Sequence, residues 1–204
     1  MPKIYTKTGD SGETGLGNGA RVLKCDARVE ALGALDELNA LLGVVASEFA
    51  SERAQNSQAN FRNTILGIQR DIFLLGATLS NFPLSKKISL SAKTRALEKR
   101  IDILEQSLPA LTRFILPGGS YSGALLHYAR TVARRAERAV VALQEQSVRV
   151  SKGLVQVSNL NQQLRKQTNI TAAIKYLNRL SDFLFVLARS ANASEHAKEE
   201  IWKM

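Results

Sequence analysis

Apolar positions recur every three or four residues in five separate stretches of the chain, the spacing of one face of an α-helix. The first stretch spans about Asp26 to Phe49, with Val29, Leu32, Leu35, Leu38, Leu42, Val45 and Phe49 on its stripe. The second runs from Phe61 through Ile65, Ile68, Ile72 and Leu75 to Leu79, and Pro83 closes it. The third, about Ser91 to Leu108, carries Leu97, Ile101, Leu104 and Leu108 and stops at Pro109, whose ring cannot continue a helix. The fourth begins at Ser120 and turns Leu125, Ala129, Val132, Ala136, Val140 and Leu143 inward. The fifth, about Asn169 to Arg189, uses Ile170, Ile174, Leu177, Leu180, Leu184 and Leu187. Five amphipathic segments without a convincing strand predict an all-α fold, a five-helix bundle. Gly33 and Gly43 each weaken the first helix by about 1 kcal/mol relative to alanine, which predicts that another helix approaches closely there.

The stretches between are polar. Residues 2–24, PKIYTKTGDSGETGLGNGARVLK, are too broken by glycine for a helix. They read either as a flexible N-terminal tail or as a loop whose amides turn inward as an anion nest, with hydroxyls and Lys7 adding donors and charge. Ser51 to Asn60 reads as a linker, about 144–169 as a loop or short hairpin, and the end of the chain as a frayed tail. On the fourth helix Arg130, Arg134, Glu137 and Arg138 fall at i, i+4, i+7 and i+8, on an arc away from the apolar stripe. That face is either a solvated surface or a fixed anion site, because guanidinium forks suit phosphate oxygens. Gly118 and Gly119 just before it predict open N-terminal amides, a second place for an anion. The Asp36 and Glu37 pair in the first helix reads as surface charge.

Composition narrows the classes. The 204 residues, 45% hydrophobic and 23% charged, suit one domain spanning 1–204. No apolar run reaches the roughly 20 residues that span a bilayer, and MPKIYTKTGD lacks the basic-then-apolar pattern of a signal peptide. Cys25 is alone, and His127 and His196 have no partners at metal-ligand spacing, so no protein-held metal is expected. A reducing, cytoplasmic setting is expected. The formal charge of +10 asks for anionic partners, but 6% aromatic residues supply no stacking platform for single strands. No G-x-x-x-x-G-K-[ST] run is present, and Gly15, Gly17 and Gly19 do not form G-x-G-x-x-G.

Several stretches, taken in order, resemble the PduO-type cob(I)alamin (corrinoid) adenosyltransferases: KIYTKTGDSGETGL, DARVEALGALDELNALLG, FILPGGS, ARTVARRAER and YLNRLSDFLF. The resemblance runs from residue 3 to 185. It implies a ferritin-like five-helix bundle, a homotrimer with active sites between subunits, and transfer of the 5'-deoxyadenosyl group of ATP to the cobalt of cob(I)alamin with release of triphosphate. By the same resemblance the 2–24 loop holds ATP through Thr6, Lys7, Thr8, Gly9, Thr14 and Gly15, with Lys24 nearby. Arg134, Arg135, Glu137, Arg138 and Asn178 complete the nucleotide site, and Mg²⁺ rides on the phosphates. Arg130 is similar to the family arginine that pairs with an aspartate across the subunit boundary, here Asp36, and Phe114 to the aromatic beneath the corrin ring. Implied partners are small molecules, a reductase and an adenosylcobalamin-dependent enzyme, without nucleic acid or membrane.

These roles suit the residue types. Co(I) is a strong nucleophile, so no Ser/His/Asp machinery is needed; the protein must align C5' with cobalt and stabilise the departing triphosphate. The stretch between RRAER and YLNRLSDFLF is longer than the family's usual connection by roughly 20 residues, which surface loops tolerate. It reads as an insertion or an extended connection. Two other classes stand beside the enzyme: a basic helical protein that binds anions or nucleic acid without chemistry, and a purely structural bundle.

Overall fold

The computed structural model describes residues 3–49, 56–84, 89–153 and 160–203. Its helices are α1 (Ala27–Glu48), α2 (Asn56–Leu79), α3 (Leu90–Glu105), α4 (Tyr121–Gly153) and α5 (Leu160–Ser194). Each of three starts is sealed by a side chain that accepts from an otherwise orphaned amide. Asp26 Oδ1 accepts from Arg28 N at 2.7 Å, Ser89 Oγ from Ala92 N at 3.3 Å, and Ser120 Oγ from Gly123 N at 3.1 Å.

The apolar stripes meet as the periodicity predicts. α4 packs between α1 and α5, α2 lies on α1, and α3 lies on α5. Leu35, Leu38, Leu42, Ile65, Ile72, Leu75, Leu177 and Leu180 are all buried, and the alanines at 129, 133 and 136 let α4 sit deep between its neighbours. α3 is peripheral, with Leu90 and Leu97 buried and Ile103 exposed. A polar seam joins α2, α3 and α5. Asp71 pairs with Lys93 and accepts from Tyr176 Oη at 3.2 Å. Burial first, then Asp71, pushes the Tyr176 phenol well above its ordinary range, so it serves as a neutral donor. At the α1–α2 crossing a Cβ on Gly43 would lie 3.3 Å from Gln69 Nε2, and that amide donates to Asn39 O at 2.9 Å. The close approach predicted at Gly33 is not found; that position faces open space.

Four boundaries differ from the reading of the sequence. α2 begins at Asn56, inside the expected linker, of which residues 51–55 lie outside the described set. The expected loop over 144–169 is helical as far as Gly153 and again from Leu160, and residues 154–159 lie outside the described set. Both extensions are polar turns that a hydrophobic stripe cannot reveal. The Gly-rich segment holds two short antiparallel strands, β1 (Glu13–Gly15) and β2 (Arg21–Leu23), with Thr14 opposite Val22; three residues are too few for a period-two signal. The C-terminal tail is not frayed. Ile201 bridges Ile115, Leu116 N donates to Glu200 O at 2.8 Å, and Trp202 N donates to Phe114 O at 2.9 Å.

Candidate functional site

The 3–24 segment is a built loop. Arg21 Nη2 donates to Thr8 O at 2.7 Å and pairs with Glu13 at 3.3 Å, and Lys24 N donates to Gly12 O at 2.8 Å. These bonds fold Thr6–Gly9 back over the hairpin. Thr6 and Thr8 hydroxyls meet at 2.8 Å, Lys7 takes a left-handed φ of 60°, and a Cβ on Gly9 would sit 3.4 Å from Lys24 Nζ. Two hydroxyls and Gly9 therefore share one turn with the Lys24 ammonium beside it, Thr14 and Gly15 lie on the adjoining strand, and the Lys7 ammonium lies over the Tyr5 ring at 5.9 Å. The hairpin is seated on the end of α2: a Cβ on Gly17 would come within 2.8 Å of Phe82 and Ser80. Arg28 Nη1 reaches Leu79 O at 2.6 Å from α1.

On α4 the arginines divide by partner. Arg135 pairs with Glu37 of α1. Glu137 accepts from Asn178 Nδ2 of α5 at 3.0 Å, so two predicted site residues from segments far apart in sequence do meet. Arg134 and Arg138, both exposed, have no acidic partner among the described residues. Arg130 is half-buried, and its Nε is enclosed without a hydrogen-bond partner. Burial, and after it the Arg134 guanidinium, pushes Arg130 below the ordinary arginine range. No acidic partner of Arg130 is found among the described residues. Asp36, its expected partner, is exposed, makes no ion pair among those residues, and borders an apolar cavity of about 530 Å³ between α1 and α2 that includes Leu32, Asn39, Phe73 and Phe82. No described hydrogen bond or ion pair joins the N-terminal loop to the α4 arginines within one chain.

Phe114 is 78% exposed and lines a groove of about 730 Å³ with Leu111, Thr112, Arg113, Trp202 and Lys203. The open amides expected at the start of α4 are instead occupied. Asn192 Oδ1 accepts from Ser120 N at 2.9 Å and from its hydroxyl at 3.0 Å, while Asn192 Nδ2 donates to Gly118 O at 3.0 Å. Gly119, at φ 104°, and Gly123 are glycine because a Cβ on either would strike the Asn192 amide.

Sequence reasoning missed three residues here. Trp202 sat in a segment read as tail, and Arg189 and Asn192 sat past the last apolar position of the fifth stripe. His127, which has no metal-ligand partners in the sequence, is buried with both ring nitrogens unpaired, its ring edge-on to Phe185 at 5.7 Å. Burial, then Arg130, pushes its imidazole below the ordinary range, against a weaker upward pull from Glu199. Among the described residues no three His, Cys, Asp or Glu side chains cluster as a metal site, and no helix is long and apolar enough to cross a membrane.

Comparison with known proteins gives a consistent result. Residues 4–191 match the family model for Cobalamin adenosyltransferase. A Corrinoid adenosyltransferase of Bacillus subtilis is 38% identical, covering 94% of this chain and 87% of its own. A Cobalamin adenosyltransferase of Cupriavidus metallidurans is 38% identical over 100% of this chain and 95% of its own. Among solved structures, a variant PduO-type ATP:corrinoid adenosyltransferase from Lactobacillus reuteri complexed with cobalamin and ATP is similar with a TM-score of 0.78 and 32% identity, covering 98% of this chain and 97% of that one. Another variant from that organism, complexed with ATP, gives 0.75 and 34% over 98% of this chain and 100% of that one.

Proposed function

Because the chain belongs to the cobalamin adenosyltransferase family, we propose a division of labour among its residues for the family's reaction. The protein is an ATP:corrinoid adenosyltransferase. In the step it catalyses, a bond forms between cobalt and C5' of ATP while the C5'–O bond breaks. Both electrons of the new bond come from Co(I), and triphosphate leaves with the pair from the broken one.

The residue roles are our reading. Thr6, Lys7, Thr8, Gly9, Thr14 and Gly15 cradle the triphosphate, Lys24 adds charge beside Gly9, and Arg134 and Arg138 stabilise the leaving group. Glu137 and Asn178 orient the nucleotide as a bonded pair. The carrying observation is the division on α4: Arg134 and Arg138 are left without acidic partners among the described residues, while Arg135 is committed to Glu37 of α1. Arg135 accordingly supports the α1–α4 contact rather than the phosphates. A Mg²⁺ ion entering with ATP would neutralise part of the phosphate charge; the residues present fit an ion held by phosphate oxygens, since no carboxylate cluster is described.

The unanswered Arg130 and the unpaired Asp36 support a homotrimer in which each pair forms between subunits, closing the nucleotide loop of one copy onto the arginine face of the next. Phe114, exposed on its groove, takes the face of the corrin from which water and a lower ligand must be kept. A reductase supplies Co(I), and an adenosylcobalamin-dependent enzyme receives the product, both in the cytoplasm.

The test is an anaerobic assay with chemically reduced cob(I)alamin, ATP and Mg²⁺. Loss of the Co(I) absorbance with a light-sensitive cobalt–carbon product supports the reading. ATP bound without turnover points to a regulatory relative.

A further inference from the structure

Phe114 is held in place by little of its own. At 78% exposure its ring has almost no packing to fix it, so its position is that of its backbone. Among the described residues, the segment 109–116 is tied by three hydrogen bonds from outside itself. Arg189 Nη2 donates to Pro109 O at 2.9 Å, Trp202 N donates to Phe114 O at 2.9 Å, and Leu116 N donates to Glu200 O at 2.8 Å. The last two come from the C-terminal strap, and the strap is itself held by Arg189, whose Nε donates to Glu199 Oε1 and Oε2 at 3.2 and 3.1 Å.

Arg189 is only 6% exposed. A guanidinium that deep is tolerable only when its charge and donors are answered, and the answers come from the two strands of chain that flank the groove. One turn on, Asn192 grips Gly118 and Ser120, and Glu195 pairs with Ser122. The end of α5 and the residue just past it thus present one polar edge, Arg189, Asn192 and Glu195, against the approach from Pro109 to the start of α4.

We infer that Arg189 is a positioning residue for the corrinoid half of the reaction: by holding the Pro109 carbonyl and the Glu199 carboxylate together, it fixes the loop that carries Phe114 and the strap that carries Trp202 on the two sides of one groove. The inference rests on the reading of that groove as the corrinoid side. It separates the two substrates, because no described bond of Arg189 reaches the 3–24 loop or the α4 arginines.

Trp202 is the chain's single tryptophan, so its fluorescence reports the strap directly. Arg189→Met should shift that emission to the red and increase its quenching by acrylamide. It should also raise KM for cob(I)alamin by about tenfold or more while KM for ATP moves by less than about twofold. If Arg189→Met does not fold, Glu199→Gln, which keeps an acceptor and removes the charge, should give the same pattern at reduced size. A freed strap with unchanged KM values, a fixed strap, or equal rises in both KM values would each overturn the inference. Phe114→Ala separates the two levels. If it leaves KM for cob(I)alamin unchanged, the groove is not the corrinoid side, and the inference falls with that reading. If it raises that KM while the Arg189 and Glu199 variants do not, the inference alone falls.

Discussion

Arg134 and Arg135 are neighbours in sequence with opposite circumstances. A step of about 100° around the helix sends Arg135 to Glu37 on α1 and leaves Arg134 exposed, without an acid partner among the described residues. In the role proposed for it, a guanidinium kept available in this way would stabilise charge that develops on a departing phosphate, and removal of one such donor costs about a hundredfold to a thousandfold in kcat. Arg134→Ala should lose activity on that scale with helix content and melting temperature little changed; wild-type turnover would remove Arg134 from the site. Arg135→Ala should instead act on stability, and weakly, since exposed pairs contribute at most about 1 kcal/mol. His127 offers a different residue-level test. Its pKa is held below the ordinary 6.5 in the folded chain, first by burial and then by Arg130, so below that pH the unfolded chain binds the proton more readily. Stability from the neutral ring is fully present above 6.5 and is lost as pH falls toward the folded value. Both ring nitrogens lack partners, so His127→Phe removes the titration without removing a hydrogen bond. Its melting temperature should fall less steeply from about pH 7.5 to about pH 5.5 than that of the wild type. Parallel curves would show that another group titrates.

At the scale of elements, the junction of α4 and α5 decides how the loop before α4 is presented. Asn192 is 1% exposed and fixed by its three bonds, and a Cβ on Gly123 would lie 1.9 Å from its Oδ1. Gly123→Ala should therefore behave as overpacking, costing about 1–3 kcal/mol, although alanine has the better helix propensity. In urea the midpoint should fall with the slope unchanged; a more stable variant would mean that Asn192 yields easily. This junction also marks where the sequence stops being readable. The five helices were legible because a buried stripe such as Ile65, Ile68, Ile72, Leu75 and Leu79 writes its period into the chain. The turns 56–60, 144–153 and 160–168 were not, because a polar helical turn differs little in pattern from a polar loop. The Asn192 grip on Gly118 and Ser120 links positions more than seventy apart, and nothing local in either stretch announces it. The β1–β2 hairpin and the strap over Phe114 depend likewise on backbone pairing of a few residues. Of the site, the arginine arc was legible from spacing, the roles came by resemblance to a family, and the partners that separate Arg135 from Arg134 needed coordinates.

At the scale of the whole molecule the unanswered charges point outward. With 28 basic and 18 acidic side chains, an arginine left half-buried with an enclosed, unpaired Nε is costly unless an anion reaches it, and Asp36, which has no ion-pair partner among the described residues, stands beside an apolar cavity between α1 and α2. In the homotrimer proposed above, one copy's Asp36 would meet the next copy's Arg130 at every interface, since a head-to-tail contact repeats identically around a closed ring. This arrangement makes a prediction that a pair formed within one chain does not. Asp36→Ala and Arg130→Ala, each purified alone, should be inactive or nearly so while retaining helix content. Co-expressed in equal amounts, they form mixed trimers, and a site is intact where the Asp36 donor is the Arg130 variant and its neighbour the Asp36 variant. Each condition is met half the time, so about a quarter of the sites should be restored. Activity of the mixture no higher than the mean of the separate variants would mean that the two residues serve different sites or none.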